Sequence, residues 1–307
     1  MYAIPTLHLL SGNKMLDAVV SIGPVTKFVT QLGQNAAHLH VPFKAFKKSE
    51  LTTAFKTLLE ETQPDMVLVF GFSYRIPAAL FDIPKLGFYN VHFSLLPAYR
   101  GKNPVFWQLK NGDSVTGISI HKITEDFDTG PLLMQKDTLI NPGDSYGILS
   151  ARLSLEAGPL VLRGIEKLQS PNELMLLDQN ESKASYCPPT GFHDLKIDWE
   201  NQSAKQIDCL VNAANPDYGG AVTLFRGQPM CVLEVSLAQL NNNGEVFTPG
   251  TVVISDPNHG IFVACKDGEY LRLNILQSSE GIMSGFKLAG FGIRNGELFQ
   301  TPSQPIL

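Results

Sequence analysis

A chain of 307 residues with 44% apolar side chains is long enough for two domains, each with a core of its own. No apolar run approaches the roughly 20 residues of a membrane-spanning helix, and the first ten residues lack the basic start and small-residue cleavage site of a secretory signal. We therefore expect a soluble, cytoplasmic protein.

The charged side chains are distributed unevenly along the chain. Residues 1–189 carry 17 Lys and Arg against 17 Asp and Glu, a net charge of zero, whereas residues 190–307 carry 7 against 12, a net charge of −5. A domain that holds a polyanion normally presents a basic face. The charge distribution therefore disfavours nucleic acid as a partner.

The four cysteines, at positions 187, 209, 231 and 265, are far apart and form no CxxC pair. No histidine stands near them at zinc-ligand spacing. We expect reduced, mostly buried thiols and no bound metal.

From residue 16 to about residue 140, short β-branched runs alternate with amphipathic stretches, which is typical of an α/β domain whose parallel sheet is covered by helices. The predicted strands span residues 16–23, 65–71, 86–92, 117–124 and 130–140, with one more strand after residues 36–42. The predicted helices span residues 25–33, 49–62, 103–112 and about 144–169. Ser49 is the expected N-cap of the second helix, and Asn103 and Pro104 open the third.

The second half of the chain has a different pattern. Residues 171–200 are polar and contain three prolines, which predicts a linker that wraps around the first domain. Residues 203–216 predict one helix, and the short apolar runs after it are separated by glycines, which favours a small β-barrel. The predicted division is a domain over residues 1–170, a linker over 171–200 and a barrel over 201–307.

Polar residues stand at the end of the predicted strand 86–92 and in the loop 125–131. Residues two apart in a strand point the same way, so Asn90 and His92 stand side by side at the carboxyl end of the sheet, where open α/β sheets bind ligands. The loop 125–131 can bring Asp128 back to the imidazole. Each residue alone has an ordinary structural explanation, and only the combination indicates a site.

Other candidates have weaker support. His121 alternates with Ile118 and Ile120 in a strand pattern, so we interpret it as structural. Tyr99 and Arg100 are expected to shape the loop that follows His92.

The run NVHFSLLPAYRG (90–101), with Pro104, Trp107, NGD (111–113), TG (116–117) and DTGPLL (128–133), resembles the signature of folate-dependent formyltransferases. Residues 197–199, 216–223, 248–253 and 286–290 resemble the C-terminal barrel of the methionyl-tRNA formyltransferases in that family. The resemblance implies a doubly wound, mostly parallel, Rossmann-like sheet followed by a small OB-like barrel. It also implies 10-formyltetrahydrofolate as co-substrate and an amine as acceptor.

Carried over position by position, the resemblance makes Asn90, His92 and Asp128 the catalytic residues. It assigns the folate pocket to three loops, whose residues are Phe70, Gly71, Phe72, Ser73, Tyr74, Arg75, Leu95, Leu96, Pro97, Glu125, Asp126, Phe127, Thr129 and Gly130. Formyl transfer needs a base for the amine, a donor for the developing oxyanion and a group that orients the base. His92, Asn90 and Asp128 can fill these roles in that order without a metal.

The sequence departs from the family pattern in two places. The first strand of the family's sheet has no counterpart, because residues 1–15 resemble the helix that follows it, so we expect a gap in mid-sheet that an upstream strand or another segment would fill. The basic, glycine-rich insertion that reaches tRNA is also absent after residue 23.

These departures make a small or nucleotide-sugar amine the preferred acceptor, with Lys102 as a candidate contact for its phosphate. Three alternatives remain open: methionyl-tRNA as acceptor, a hydrolase that releases formate from the same folate, and a non-catalytic folate-binding or scaffold protein. The oligomeric state is not predicted.

Overall fold

The computed structural model describes residues 2–170, 175–241 and 244–305. The chain divides into two compact units, the first formed by Met1–Pro104, Val115–Leu139 and Ser150–Pro188, the second by Val105–Ser114, Ile140–Leu149 and Pro189–Leu307. In the described part of the chain, no helix combines the length and apolar character needed to cross a membrane. The boundaries at residues 170 and 200 stay a prediction.

The helices and strands follow the predicted order. The helices are α1 (Ile4–Gly12), α2 (Lys27–His38), α3 (Ala54–Thr62), α4 (Pro104–Asn111), α5 (Tyr146–Gln169), α6 (Phe192–Leu195), α7 (Ala204–Ala214) and α8 (Gly285–Gly290). The strands of the first unit are β1 (Val19–Ile22), β2 (Phe43–Phe46), β3 (Val67–Phe70), β4 (Phe88–His92), β5 (Arg100–Gly101), β6 (Val115–Lys122), β7 (Leu132–Leu139) and β8 (Tyr186–Cys187). Those of the second are β9 (Ala221–Phe225), β10 (Gln228–Ala238), β11 (Val252–Asp256), β12 (Gly260–Ala264), β13 (Tyr270–Ser278), β14 (Gly281–Ser284) and β15 (Phe299–Gln300).

The main sheet of the first unit has the order β3-β4-β6-β7. Strand β4 runs parallel to β3, as predicted, whereas β6 and β7 are antiparallel to their neighbours. Strands β1 and β2 form a separate parallel pair. Helix α3 faces the core with Phe55, Leu58 and Leu59, whose spacing is that of one helical face.

An unfilled slot lies between β1 and β3. Among the described residues, β1 pairs with β2 alone and β3 with β4 alone, and a cavity of about 290 Å³ lies between them. Leu7 and Leu10 of α1 and Leu58 of α3 line it. Every residue of β1 and β3 is partly exposed, although both strands are apolar. The gap expected from the sequence is therefore present, and no described segment fills it.

Two helix starts test the predicted caps. Helix α4 begins at Pro104 and ends just before Gly112, as predicted. The prediction for Ser49 is wrong, because α3 begins only at Ala54. Ser49 lies in a separate 3₁₀ turn, which the Glu50 carboxylate closes by accepting the Lys47 backbone N–H at 2.5 Å.

The second unit is a curled antiparallel sheet of seven strands. Its order is β11-β12-β13-β10-β9-β15, with β14 beside β13. A bridge between Thr251 and Leu298 brings the two ends of this order together. Trp199 and the inner face of α7 fill the core. The predicted small barrel is confirmed.

Candidate active site

Strand β4 carries the first two predicted catalytic residues. Asn90 is half-buried and His92 is buried at the carboxyl end of the strand. Two residues apart, they emerge on one face of the sheet. The chain then turns through residues 93–99 into β5, and Tyr99 of this turn contacts His92.

The hydrogen bonds of His92 identify its basic nitrogen. Nε2 lies 2.8 Å from the carbonyl oxygen of Tyr99, and because a carbonyl only accepts, Nε2 carries the hydrogen. That leaves Nδ1 free to take a proton, 3.6 Å from Asp128 Oδ2. Burial lowers the pKa of His92, an effect that the Asp128 charge partly offsets. The imidazole is therefore neutral at pH 7 and faces a carboxylate that would stabilise its protonated form.

Asp128 lies at the centre of the site. Its backbone is in the left-handed region, with a φ of 57°. Its carboxylate accepts the Gly101 backbone N–H at 2.8 Å and an amide hydrogen of Asn90 at 3.1 Å. Burial alone would raise the pKa of Asp128, but the contact with His121 and the attraction of His92, which is protonated at the acid pH where a carboxylate titrates, hold the pKa well below its ordinary value. The carboxylate is therefore ionised at all ordinary pH values.

His121 lies against this site, a position that the sequence analysis did not predict when it interpreted the residue as structural. Its Nε2 lies 3.2 Å from Asp128 Oδ1 and 3.3 Å from the Asn90 amide nitrogen. His121 is the direct partner of Asn90 in the antiparallel pairing of β4 with β6, and such partners point to the same face. The ladder between β6 and β7 is also irregular at His121, and irregularities of this kind redirect side chains.

A small cavity of about 50 Å³ opens beside these residues. It is lined by Val69, Phe72, Tyr74, Arg75, Ile76, Asn90, His121, Ile123, Thr124, Glu125, Asp126, Phe127 and Asp128. Apolar atoms make up most of its surface, although seven of the thirteen lining residues are polar or charged. Such a composition is typical of a site for a small organic ligand.

The predicted folate residues fall into four groups. Those that line the cavity are Phe72, Tyr74, Arg75, Glu125, Asp126 and Phe127. Gly71, Ser73, Thr129 and Gly130 lie in the same two loops but do not line it, and Phe70 lines the slot between β1 and β3 instead. Leu95, Leu96 and Pro97 form the turn after β4 and do not line the cavity either; the Leu96 side chain is buried, and that of Leu95 lies against Gly117. The sequence analysis missed five lining residues, Val69, Ile76, His121, Ile123 and Thr124. Four of them are apolar or lie on a strand, where they carry no distinctive signal, and Thr124 lies in the loop just before the predicted residues.

Arg75 and Asp126 form an ion pair at the rim of the cavity. Arg75 Nη2 lies 3.2 Å from Asp126 Oδ1, and the guanidinium lies 5.6 Å from the centre of the Phe127 ring. Both charged side chains are mostly exposed, so the pair contributes little to stability. It can open at low cost.

Lys102, the predicted acceptor contact, is exposed directly after β5. Within the described ranges, no three His, Cys, Asp or Glu side chains are grouped to hold a metal. Burial raises the pKa of Cys187 and Cys265 to about 12, so these free thiols stay protonated.

Comparison with known families gives this geometry its context. The family model described as "Formyl transferase" matches residues 21–163, and "Formyl transferase, C-terminal domain" matches residues 192–288. A methionyl-tRNA formyltransferase of Aromatoleum aromaticum is 34% identical over 252 residues, covering 81% of this chain and 76% of the relative. The chain belongs to the formyl transferase family. It is therefore a formyl-transferring enzyme.

Other relatives and solved structures extend the comparison. A methionyl-tRNA formyltransferase of Dictyoglomus thermophilum is 28% identical and aligns along 97% of this chain and 98% of its own. An N-formyltransferase of Helicobacter canadensis, solved with folinic acid and dTDP-3-aminofucose, has 18% identity and a TM-score of 0.66 over 89% of this chain and 95% of its own. HypX from Aquifex aeolicus, solved with tetrahydrofolic acid, gives 0.64 at 14% identity; the match covers 89% of this chain but only 47% of HypX. These structures share the fold.

Proposed function

We propose that the enzyme transfers the formyl group of 10-formyltetrahydrofolate to a primary amine, with Asn90, His92 and Asp128 as its catalytic residues. The observation that carries the proposal is a basic imidazole nitrogen 3.6 Å from an ionised carboxylate that also binds the Asn90 amide. Imidazole, carboxylate and amide are the groups that acyl transfer to an amine requires.

Each of the three side chains has its own role in the proposed transfer. The folate supplies a formyl group bound to a nitrogen that can leave. His92 Nδ1 takes the proton that the attacking amine loses as its nitrogen bonds to the formyl carbon, and Asp128 stabilises the imidazolium that results. An Asn90 amide hydrogen is donated to the formyl oxygen as negative charge develops there. His92 then returns the proton to the folate nitrogen as the carbon–nitrogen bond breaks.

The cavity fits the ring of a folate in character, though it must widen. Phe72, Tyr74 and Phe127 offer aromatic faces to a flat heterocycle. Its volume of about 50 Å³ is below the several hundred Å³ of typical ligand sites. The Arg75–Asp126 pair at the rim is exposed and contributes little to stability, so folate entry would begin by separating it.

For the acceptor, we propose a small amine carried on a nucleotide or a similar phosphate-bearing group. Only residues 23–26 connect β1 to α2, which leaves no room for a basic loop. The net charge of −5 over residues 190–307 is unsuited to many phosphate contacts. Lys102 follows Gly101, which itself binds Asp128, and one cation there suits a single phosphate.

Methionyl-tRNA is the second candidate acceptor. The observation in its favour is that curated methionyl-tRNA formyltransferases align with nearly the whole chain, including the C-terminal domain. A protein that reached tRNA without a basic loop would need other phosphate contacts, and its activity would then fall steeply with salt.

One experiment separates these possibilities. The protein is incubated with 10-formyltetrahydrofolate and, in parallel, with dTDP-3-aminofucose, methionyl-tRNA or no amine, and the mass gain of one formyl group and the release of formate are followed. We expect formylation of the amino sugar with a shallow salt dependence. Efficient formylation of methionyl-tRNA alone would overturn the acceptor proposal, and formate release without any amine would identify a hydrolase.

A further inference from the structure

The segment that ends with β8 contacts two parts of the active site, the turn after β4 and the loop that carries Asp128. Residues 175–187, which we call the strap, lie in the first unit. Strand β8 of the strap pairs with β5, so that Arg100 faces Tyr186 and Gly101 faces Cys187. Two further bonds tie the strap to the turn after β4: the Tyr99 N–H donates to Ser185 Oγ at 2.9 Å, and the Ser185 N–H donates to the carbonyl of Pro97 at 3.2 Å.

Gln179 connects the strap to the loop of Asp128. Its amide nitrogen donates to the Asp128 carbonyl at 2.8 Å and to the Gly130 carbonyl at 2.7 Å. Its amide oxygen accepts from Arg100 Nε at 3.1 Å and Nη2 at 2.8 Å. A guanidinium only donates and a carbonyl only accepts, so the orientation of this amide is fixed.

Arg100 is itself held firmly. Its side chain is fully buried and makes a bidentate pair with Glu181, at 2.9 and 2.6 Å, and a bond of 2.9 Å to the Tyr186 hydroxyl. The bonds to Glu181 raise the pKa of Arg100, although burial opposes this, so its charge is permanent. A buried charge that lost these partners would be strongly unfavourable. The guanidinium therefore stays within hydrogen-bonding distance of Gln179.

The Asp128 loop needs such support. Asp128 has a left-handed backbone, which is uncommon for residues other than glycine. Gly130, two residues further on, admits no side chain, because an added Cβ would overlap the carbonyl of Lys122. Gln179 binds the backbone on both sides of Thr129 and so fixes the direction in which the Asp128 carboxylate points. Gly101, next to Arg100, binds that carboxylate directly.

We infer that Gln179 is a positioning residue for the formyl transfer proposed above, holding the Asp128 carboxylate against His92 through a chain of contacts that starts at Glu181 and passes through Arg100. The inference rests on the proposed function for its catalytic consequence only. Its structural consequence is separate: without Gln179, Asp128 should approach His92 less closely and stabilise the imidazolium less.

The test compares Gln179→Ala and Gln179→Glu with a matched control, Asn180→Ala. Glutamate has nearly the same shape as glutamine, but a carboxylate oxygen would replace the amide nitrogen that donates to the carbonyls of Asp128 and Gly130. Asn180 caps a turn of the same strap by binding Ser182 and is exposed, so its removal perturbs the strap locally without touching the Asp128 loop. Thermal unfolding of each variant checks that it remains folded.

Two measurements decide the outcome. We expect both Gln179 variants to lose roughly tenfold or more in kcat, since small displacements of a catalytic group are costly, with little change in the folate KM. We also expect the His92 titration, followed by NMR in the absence of substrates, to move to lower pH, because the Asp128 charge raises the His92 pKa. Asn180→Ala should change neither.

Unchanged kcat and unchanged His92 titration in the Gln179 variants would overturn the inference, as would equal losses in Asn180→Ala. If the wild-type protein formylates no amine, the proposed function fails, whereas the His92 titration still tests the positioning role.

Discussion

Asn90 and His121 face each other across the antiparallel pair β4 and β6, with the amide nitrogen of one 3.3 Å from the imidazole Nε2 of the other. Both also contact Oδ1 of Asp128. His121 Nδ1 lies 3.0 Å from the carbonyl of Lys122, which fixes the plane of its ring. Because a carbonyl only accepts, Nδ1 carries the hydrogen of this bond, and Nε2 contacts the amide and the carboxylate but can hydrogen-bond only one of them at a time. His92 contacts the other carboxylate oxygen.

The first prediction concerns His121. His121→Phe keeps a buried ring of similar size but removes the polar contacts with Asn90, Asp128 and the Lys122 carbonyl, so Asn90 and Asp128 lose a common neighbour. We expect kcat to fall roughly tenfold, with a smaller effect on the folate KM. Steady-state kinetics provides the measurement, and His38→Phe, an exposed position on α2, is the control. Wild-type kcat in His121→Phe would return that residue to a structural role.

The second prediction concerns the catalytic residues. His92→Ala and Asp128→Ala should each reduce turnover on the order of a hundredfold or more, because an oriented proton-transfer group is lost. Asn90→Ala should lose a comparable factor through the missing donor to the formyl oxygen. Single-turnover rates measure the chemical step, and equilibrium binding of folate should remain nearly intact. A variant that keeps near-normal turnover contradicts the role assigned to its residue.

The third prediction concerns pH. Burial lowers the pKa of His92, so its NMR titration should have a midpoint below the ordinary value of 6.5. The neutral base is then fully present at neutral pH and is lost as pH falls through the lowered pKa. Asp128→Asn removes the charge that favours the imidazolium, so the midpoint should fall further. A midpoint that rises in Asp128→Asn would contradict this account of the pair.

The fourth prediction concerns the slot between β1 and β3. Tyr2, just before α1, lies near Gly71 and packs edge-on against Phe93, so α1 starts at the carboxyl edge of β3 and β4. An apolar strand of about six residues, fused through a short turn in front of Met1, could run parallel to β3 and enter the slot. Each backbone bond it makes contributes about 1 kcal/mol, and the entropy lost by ordering the strand offsets part of the sum. A net gain of about 2 to 3 kcal/mol would raise Tm by roughly 5 to 10 °C.

The control for this experiment is a fusion of equal length with alternate prolines, which cannot complete a parallel ladder. Hydrogen exchange supplies the local readout, and the amides of β1 and β3 should become protected only with the apolar strand. An equal change in Tm for both fusions would mean that the strand does not occupy the slot.

The fifth prediction concerns Lys102. A cation that meets an acceptor phosphate equally in the ground and transition states affects binding alone. Lys102→Ala should therefore raise the acceptor KM with little change in kcat, whereas Lys44→Ala, an exposed lysine on β2, should change neither. Kinetics over a range of acceptor concentrations provides the measurement, and an unchanged acceptor KM would remove Lys102 from the site.

The amino-acid sequence alone determined the features that depend on a few neighbouring residues. The alternation of strands and helices, the start of α4 at Pro104 and the short strands of the barrel follow from local periodicity and turn chemistry. The spacing of Asn90 and His92 on one strand is of the same kind, because two residues along a strand always share a face.

Only the tertiary structure decided what surrounds those residues. His121 enters the site through the antiparallel register of β6 against β4, and β6 is buried on both faces, so its own pattern gave no sign of this. Gln179 reaches Asp128 from 51 residues away through a segment that looks like a polar linker. Contacts of this kind depend on strand register and loop closure over long stretches of chain, which no local periodicity encodes.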